Sequence, residues 1–360
     1  MSVLALPSTR EEAWRWSNLS ALPELADRRP TGRVPAVLPW IDCAGPRLLF
    51  VDGRPADGTD SGPIEITTLD ISAGDHALAR LAGRTGWRLR LGCDHAAAGL
   101  VQIVHVSTGG PDHLAGEISL DADAQASIVE TFIGDGWTNR FTAVALNKGA
   151  RLMLNRRLLR GSGFASLADR AVLGEGASLA MTTLAAGNGD SRLDGRIQLA
   201  GAAAFAEAGG ALLARDTQNH DANLIIDHRG LGTTSRQLWR SVADDQAVCS
   251  VAARVEVARG AQKSDAEQSL KGLLAARTAT INAKPELEIF ADDVKCAHGA
   301  TVGELDRNAL FYLRSRGIAP AEAKALLTRA FVADAIDRIG EEAVRDAFRA
   351  DAERWLGGVS

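Results

Sequence analysis

The sequence predicts a mainly β chain: a right-handed parallel β-helix core, flanked by a small N-terminal α-containing region and a C-terminal helical domain. Three observations carry this. Leu120, Leu146, Leu173 and Leu199 recur at intervals of 26, 27 and 26 residues. Four residues after each comes an alanine (Ala124, Ala150, Ala177, Ala203), preceded by the small or turn-prone Asp123, Gly149, Gly176 or Ala202. The short runs around these turns alternate with period two and hold no ten-residue helical pattern. The composition suits closely stacked backbone layers, with 36 glycines and only 5% aromatic residues. A repeat of 20–50 residues signals a solenoid, because each unit buries its apolar face only against its neighbours. An evenly spaced β-sandwich is the alternative arrangement.

The elements follow in order. Residues 9–27 begin with a threonine cap and an acidic first turn and read as a short helix. Residues 30–66 are rich in Pro and Gly, with a strand at Leu48–Val51. In the repeat block, the sixth residue after each leucine is the inward candidate: Ala126, Leu152, Leu179 and Phe205. Val257, with Gly260 and Ala261, fits the same frame two longer coils after Leu199. The glycine pairs Gly161/Gly163 and Gly174/Gly176 read as coil turns. After Gly317 the chain turns helical, with Pro320 at a helix start and an apolar stripe through Leu326, Leu327, Phe331, Ile336 and Ile339. Gly340 breaks it, and a second helix carries Val344, Phe348 and Trp355. Terminal helices fit as covers for the open ends of a solenoid. The expected division is 1–97, 98–303 and 304–360.

Several function classes are excluded. The chain has 360 residues, a net charge of −5 and 46% hydrophobic residues, which argues against nucleic acid as main partner and against disorder. No apolar run reaches the length of a membrane span. The N-terminus lacks the basic start and apolar core of a secretory signal and does not look like a transit peptide. Cys43, Cys93, Cys249 and Cys296 are spread without a C-x-x-C, as for free thiols in a reducing compartment. A cytoplasmic location is expected. There is no phosphate-binding G-x-x-x-x-G-K-[ST], no H-E-x-x-H and no G-x-S-x-G. If ATP is used, a partner hydrolyses it.

The candidate chemistry is concentrated in KPELEIFADDVKCAHGATVGELDRNALFYLRSRGI, residues 284–317. Cys296 and His298 are two apart, so on a strand both side chains face the same way. A thiolate and an imidazole form half of a soft-metal site, and two ligands cannot close a tetrahedron. The rest must come from elsewhere in the chain or from a partner. Glu286 and Glu288, upstream, could add an oxygen ligand, although solvated glutamates are commoner. A cysteine and histidine that merely pack and hydrogen-bond is the structural alternative. His95 repeats the spacing after Cys93 in a Gly/Ala-rich loop, and His105 sits in the apolar run LVQIVHV as a satisfied core or edge residue. His220 and His228 flank DANLIID, and no role is assigned to them.

The same stretch resembles the C-terminal signature of the SufD branch of the SufB/SufD family of iron–sulfur cluster assembly scaffolds. The match runs from Lys284 and Pro285 through Asp292–Cys296 and His298–Gly303 to Phe311–Ile318. Pro7, Arg10, Glu12 and Trp14 look like the family's N-terminal P-x-x-R-x-E-x-W pattern, and residues 262–274 resemble the segment before the signature. Here only six residues precede Pro7, fewer than is usual, and Trp16 stands where tyrosine is common. RTATINAK (277–284) lacks the cysteine of the SufB branch, which favours SufD.

The resemblance implies a β-helix that pairs with a SufB-like subunit and binds a SufC-like ATPase through its C-terminal helices. It implies that His298, with Cys296 beside it, faces a partner cysteine at the interface, where iron or a nascent iron–sulfur cluster passes transiently. It also implies a partner-binding segment over 311–335, carried by Phe311, Tyr312, Leu313, Arg314, Arg316, Leu327 and Phe331. A flavin is not readable from the residues. The expected function is therefore a non-catalytic scaffold subunit. The rivals are a free-standing β-helix metalloenzyme using Cys296 and His298, a purely structural solenoid, and a homodimeric form of the same scaffold.

Overall fold

The computed structural model describes residues 6–56 and 60–357. Seventeen strands form one continuous sheet wound into a parallel β-solenoid of about 8 turns. The entry coils are β1 (Arg47–Val51), β2 (Arg54–Pro55), β3 (Ile64–Thr68), β4 (Thr85–Leu91), β5 (Val101–Leu120), β6 (Gln125–Leu146) and β7 (Arg151–Leu158). The regular coils follow as β8 (Phe164–Leu173), β9 (Ser178–Ala185), β10 (Asp190–Leu199), β11 (Phe205–Ala214), β12 (Asn219–His228) and β13 (Thr234–Ala243). They end with β14 (Val248–Val257), β15 (Asp265–Leu274), β16 (Thr280–Ile289) and β17 (Lys295–Glu304). From β6 on, each strand pairs in parallel with the one two places later, so two strands make a coil.

Small residues make this stacking close. A Cβ on Gly163 would lie 2.1 Å from the Gly136 carbonyl oxygen, and Gly163 also has φ +82°. The repeat turns each need one left-handed residue, supplied by Asp123, Gly149 and Gly176 at φ 58°, 67° and 63°. Ala124, Ala150 and Ala177, next in line, are fully buried.

The fourth turn departs from the sequence frame. Its left-handed residue is Ala203, the buried alanine is Ala204, and the inward residue is Ala206; Phe205 is only half-buried. One extra residue enters here, where the amides of Ala200 and Gly201 both donate to the Leu173 carbonyl. A one-residue insertion turns every following side chain to the other face unless it is absorbed in a bulge. From this turn the coils lengthen. Asp190 lies over Phe164, 26 residues earlier, whereas His220 lies over Ser191, 29 earlier, and Thr280 over Val248, 32 earlier.

The lumen holds the main core, including Phe50, Trp87, Ile103, Phe132, Leu154, Leu167, Ile197, Ile226 and Val251. It also holds charge. His105 is stacked between Phe50 and Phe132, at centroid distances of 5.4 and 4.6 Å. Its Nε2 meets Glu130 at 3.2 Å, and Arg140 donates to its Nδ1 at 3.2 Å. Glu130 accepts from Arg156 Nε at 2.7 Å, and Arg156 forks onto Asp169 at 2.5 and 2.8 Å. Arg140 likewise binds Asp112 at 3.0 and 2.8 Å. Burial alone would raise the Glu130 pKa, but Arg156 and His105 outweigh it and hold it at about 2. Burial, with Arg140 beside it, pushes His105 down, so the ring is neutral.

The N-terminal segment is less helical than expected. Residues 12–14 make a single 3-10 turn, and α1 is confined to Leu22–Asp27. Tertiary contacts replace helix here. Trp14 stacks against the Arg192 guanidinium, and Arg192 also bonds Asp194 and Asp221. Trp14, Leu22 and Leu25 bury against Trp137 and Phe164 on the outer face.

At the other end a helix begins before Gly317, earlier than the sequence suggested. It is α2 (Arg307–Ser315), capped by Asp306, whose carboxylate accepts from Asn308 N at 2.8 Å. Then come α3 (Pro320–Ile336) and α4 (Glu342–Trp355), as the Pro320 and Gly340 signals predicted. Val332, Ala335, Ile336, Ile339, Val344 and Phe348 seal these helices onto the outside of the solenoid, with Leu184, Leu213 and Val242. Arg157 reaches Asp351, and Arg240 reaches Asp334 at 2.9 Å, to pin the seam.

Candidate functional site

The two ends of the solenoid terminate differently. At the N-terminal end, β1–β2 and β3–β4 pair antiparallel, so the sheet turns back on itself and ends in the short strands β2 and β3. At the C-terminal end, β16 pairs only with β14, and β17 only with β15, among the described residues. Each therefore presents one row of free backbone N–H and C=O groups, an arrangement that recruits another strand. Every residue of β17 except Cys296 is exposed. Exposed apolar side chains mark the same coil: Phe290 is 64% exposed, and Ile289 and Val302 are 40% and 43% exposed.

Cys296 and His298 both lie on β17, a strand separate from the apolar strand before it, because residues 290–294 form the turn between β16 and β17. Their alternation points both toward the lumen side. Cys296 packs on the small cluster of Val255, Val257, Ala261 and Ala266. His298 lies over Gln268 in the register and is exposed. Burial raises the Cys296 thiol, which has a half-covered apolar floor. Among the described residues no three His, Cys, Asp or Glu side chains converge. The pair is thus two donor side chains on one face of β17, of a chemistry that suits soft and borderline metals such as zinc, copper and iron.

The suggested oxygen ligands do not join it. Glu286 and Glu288 lie on β16, on the outer face. Glu286 pairs with Arg254 at 3.5 Å and Lys284 at 3.1 Å, and Glu288 with Arg254 at 3.5 Å. Strand parity decides this: Leu287 packs inward, so its neighbours face outward. The other histidines are accounted for in place. His95 sits in a turn with Nδ1 2.8 Å from the Cys93 carbonyl oxygen. His220 bonds Ser191 at 2.8 Å and the Leu213 carbonyl at 3.2 Å, and His228 bonds Thr233 and Ser235, each at 2.8 Å. Burial pushes both down to about 4.

The partner-binding candidates divide. Phe311 and Tyr312 stand 73% and 56% exposed on α2, with Arg314 and Arg316 exposed around them. Arg316 lies over the Tyr312 ring at 5.3 Å. Leu313 and Leu327 are half-buried, and Phe331 is half-buried against the helix–solenoid seam. Only Leu305 and Asp306 separate α2 from β17, so the helices are coupled directly to the open coil. The sequence reading did not single out Gln237 and Gln268. Both occupy inward positions of the period-two frame, and a glutamine on an apolar face was the available signal.

The fold is thus a parallel β-solenoid whose last coil is unpaired on one side, with a thiol–imidazole pair at its rim. Residues 110–331 match the family model described as SUF system FeS cluster assembly, SufBD core domain, and the chain belongs to that family. It is 26% identical to the iron–sulfur cluster assembly protein SufD of Escherichia coli over 98% of this chain and 90% of that protein. The chloroplastic protein ABCI7 of Arabidopsis thaliana is 30% identical over 64% of this chain and 50% of that protein. The SufD of Bacillus subtilis is 29% identical over 46% of this chain and 38% of that protein. The SufB/SufD resemblance read from the signature is therefore borne out. No helix among the described residues is long and apolar enough to cross a membrane.

Proposed function

We propose that this chain is a cytoplasmic, non-enzymatic scaffold subunit of an iron–sulfur cluster assembly complex. Its open coil pairs with a SufB-like subunit, and its C-terminal helices carry a SufC-like ATPase. The observation that carries the reading is the unpaired edge of β16 and β17 with Cys296 and His298 at its rim. A partner strand added there would satisfy the free backbone groups and bring the missing ligands. The nascent cluster, or its iron, is cargo: His298 supplies one nitrogen donor, Cys296 is a sulfur donor beside it, and the partner completes the set. The scaffold core is 98–303, and 304–360 serves the ATPase, with Phe311 and Tyr312 as its apolar anchors. Movement of the ATPase on its nucleotide cycle pulls α2, and the short Leu305–Asp306 link passes that pull to β17 and opens the interface.

The test is reconstitution of the full complex with His298→Ala. Cluster yield, read by absorbance and iron content, should collapse while the complex still assembles. An unchanged yield would sink the site assignment. The same open edge also suits self-pairing, so the isolated chain should sediment as a dimer that partner addition converts to the heteromer.

A further inference from the structure

Gln237, Gln268 and His298 form one inward column, as register partners on β13, β15 and β17. Both glutamines are 1% exposed. Each carboxamide is oriented by a backbone carbonyl on β14: Gln268 Nε2 donates to Ala253 O at 2.9 Å, and Gln237 Nε2 to Arg254 O at 3.0 Å. Only the amide nitrogen can donate to a carbonyl, so the two oxygens are fixed on the opposite side. There, Gln237 Oε1 and Gln268 Oε1 are buried with no partner. A buried acceptor left open is costly and calls for an explanation. For Gln268 the explanation is one strand away. Adjacent parallel strands are about 4.8 Å apart, and the ring of His298 directly above is exposed and makes no hydrogen bond among the described residues.

We propose that Gln268 is a positioning residue for His298. Its Oε1 accepts the ring N–H once the exposed imidazole turns inward about its own side-chain torsions. The accepted proton fixes the tautomer, and the other ring nitrogen then points its lone pair out of the open end, where a metal can take it. Metal-bound histidines generally have the second nitrogen held in this way. Cys296 cannot do this for its neighbour, being on the same strand, and among the described residues no carboxylate bonds His298. The inference rests on the reading that His298 is a donor to the cargo.

The experiment uses the full chain labelled with nitrogen-15 in its histidines. Long-range proton–nitrogen spectra at a pH where the ring is neutral report which nitrogen carries the proton, and His298→Ala assigns the signal. The wild type should show one dominant tautomer at His298. Gln268→Leu, and the more nearly isosteric Gln268→Met, should show a mixture of both. Gln268→Glu, which keeps an acceptor at the same place, should restore the single form. Identical tautomer ratios in wild type, Leu and Met variants would overturn the proposal. The readout involves no metal, so the two ideas fail separately. A tautomer shift with normal cluster yield in His298→Ala leaves the positioning standing and removes the donor reading. Unchanged tautomers with a lost yield remove the positioning alone.

Discussion

Two inward-facing histidines, His105 near the closed end and His298 at the open end, occupy equivalent kinds of position in the solenoid and have opposite fates. His105 is sandwiched by two phenylalanines, and both nitrogens are bonded, to Glu130 and Arg140. His298 has solvent on one side and Gln268 on the other, with no hydrogen bond among the described residues. In the finished coil around His105 both ring nitrogens are satisfied, so that ring serves structure. An unfinished coil leaves donors free, and free donors are what an assembly interface needs. Burial and completeness of hydrogen bonding, not residue type, separate the two.

The comparison can be broken most sharply at the closed end. Glu130→Ala strips one of the two counter-charges from the buried Arg156 and the acceptor from His105. It should destabilise the fold by about 3–5 kcal/mol, as expected for breaking a buried ion pair on one side, measured by denaturant unfolding. If the loss were below about 1 kcal/mol, the network would not be the structural half of the contrast.

Acid should act on stability through the lumen. Glu130 has a folded pKa of about 2, below its ordinary value of 4.5. Its stabilising contribution is complete above the ordinary value and is lost as pH falls through the folded one. His220 and His228 are also depressed, to about 4 from 6.5, so the unfolded chain takes up their protons first. Their contribution is present above pH 6.5 and disappears as pH drops toward 4. Each such group is worth on the order of 3 kcal/mol. Stability should therefore decline from about pH 6.5 downward, and His220→Gln should flatten the upper part of that curve. A pH-independent midpoint between 7 and 4 would contradict it.

At the open end the expected pattern reverses, with large functional effects and small structural ones. Phe311→Asp with Tyr312→Ser should cut binding of the proposed ATPase partner at least tenfold by calorimetry, because exposed aromatic anchors are typical interface hot spots. His298→Ala should leave unfolding stability within about 0.5 kcal/mol, the range of surface substitutions. If His298→Ala unfolded the chain as readily as Glu130→Ala, the distinction between finished and unfinished coils would fall.

Much of this was legible in one dimension. The leucine–turn–alanine spacing marked the coils because stacking forces each turn to recur at the same height, and the small residue before each alanine marked the left-handed position. Pro320 and Gly340 marked helix boundaries because proline and glycine act locally. The Cys296–His298 pair was readable because strand parity is local too. The frame failed at Ala203, where a one-residue bulge moved the buried positions to Ala204 and Ala206. Helix was over-read at residues 9–27, where tertiary contacts to Arg192 and Trp137 override local propensity. Glu286 and Glu288 came out on the wrong face because the turn at 290–294 divides one apparent strand into two.

The sequence by itself determined the repeating β architecture, the helical ends, the family signature and the thiol–imidazole pair, all of which rest on period, spacing and local chemistry. Only the tertiary structure decided which histidine is finished and which is waiting, that Gln268 lies beneath His298, and that a charged network fills the lumen at Glu130, Arg140 and Arg156. Those facts depend on register between coils about thirty residues apart, and on where the last coil ends. A solenoid's neighbours are set by stacking, so no local pattern states them.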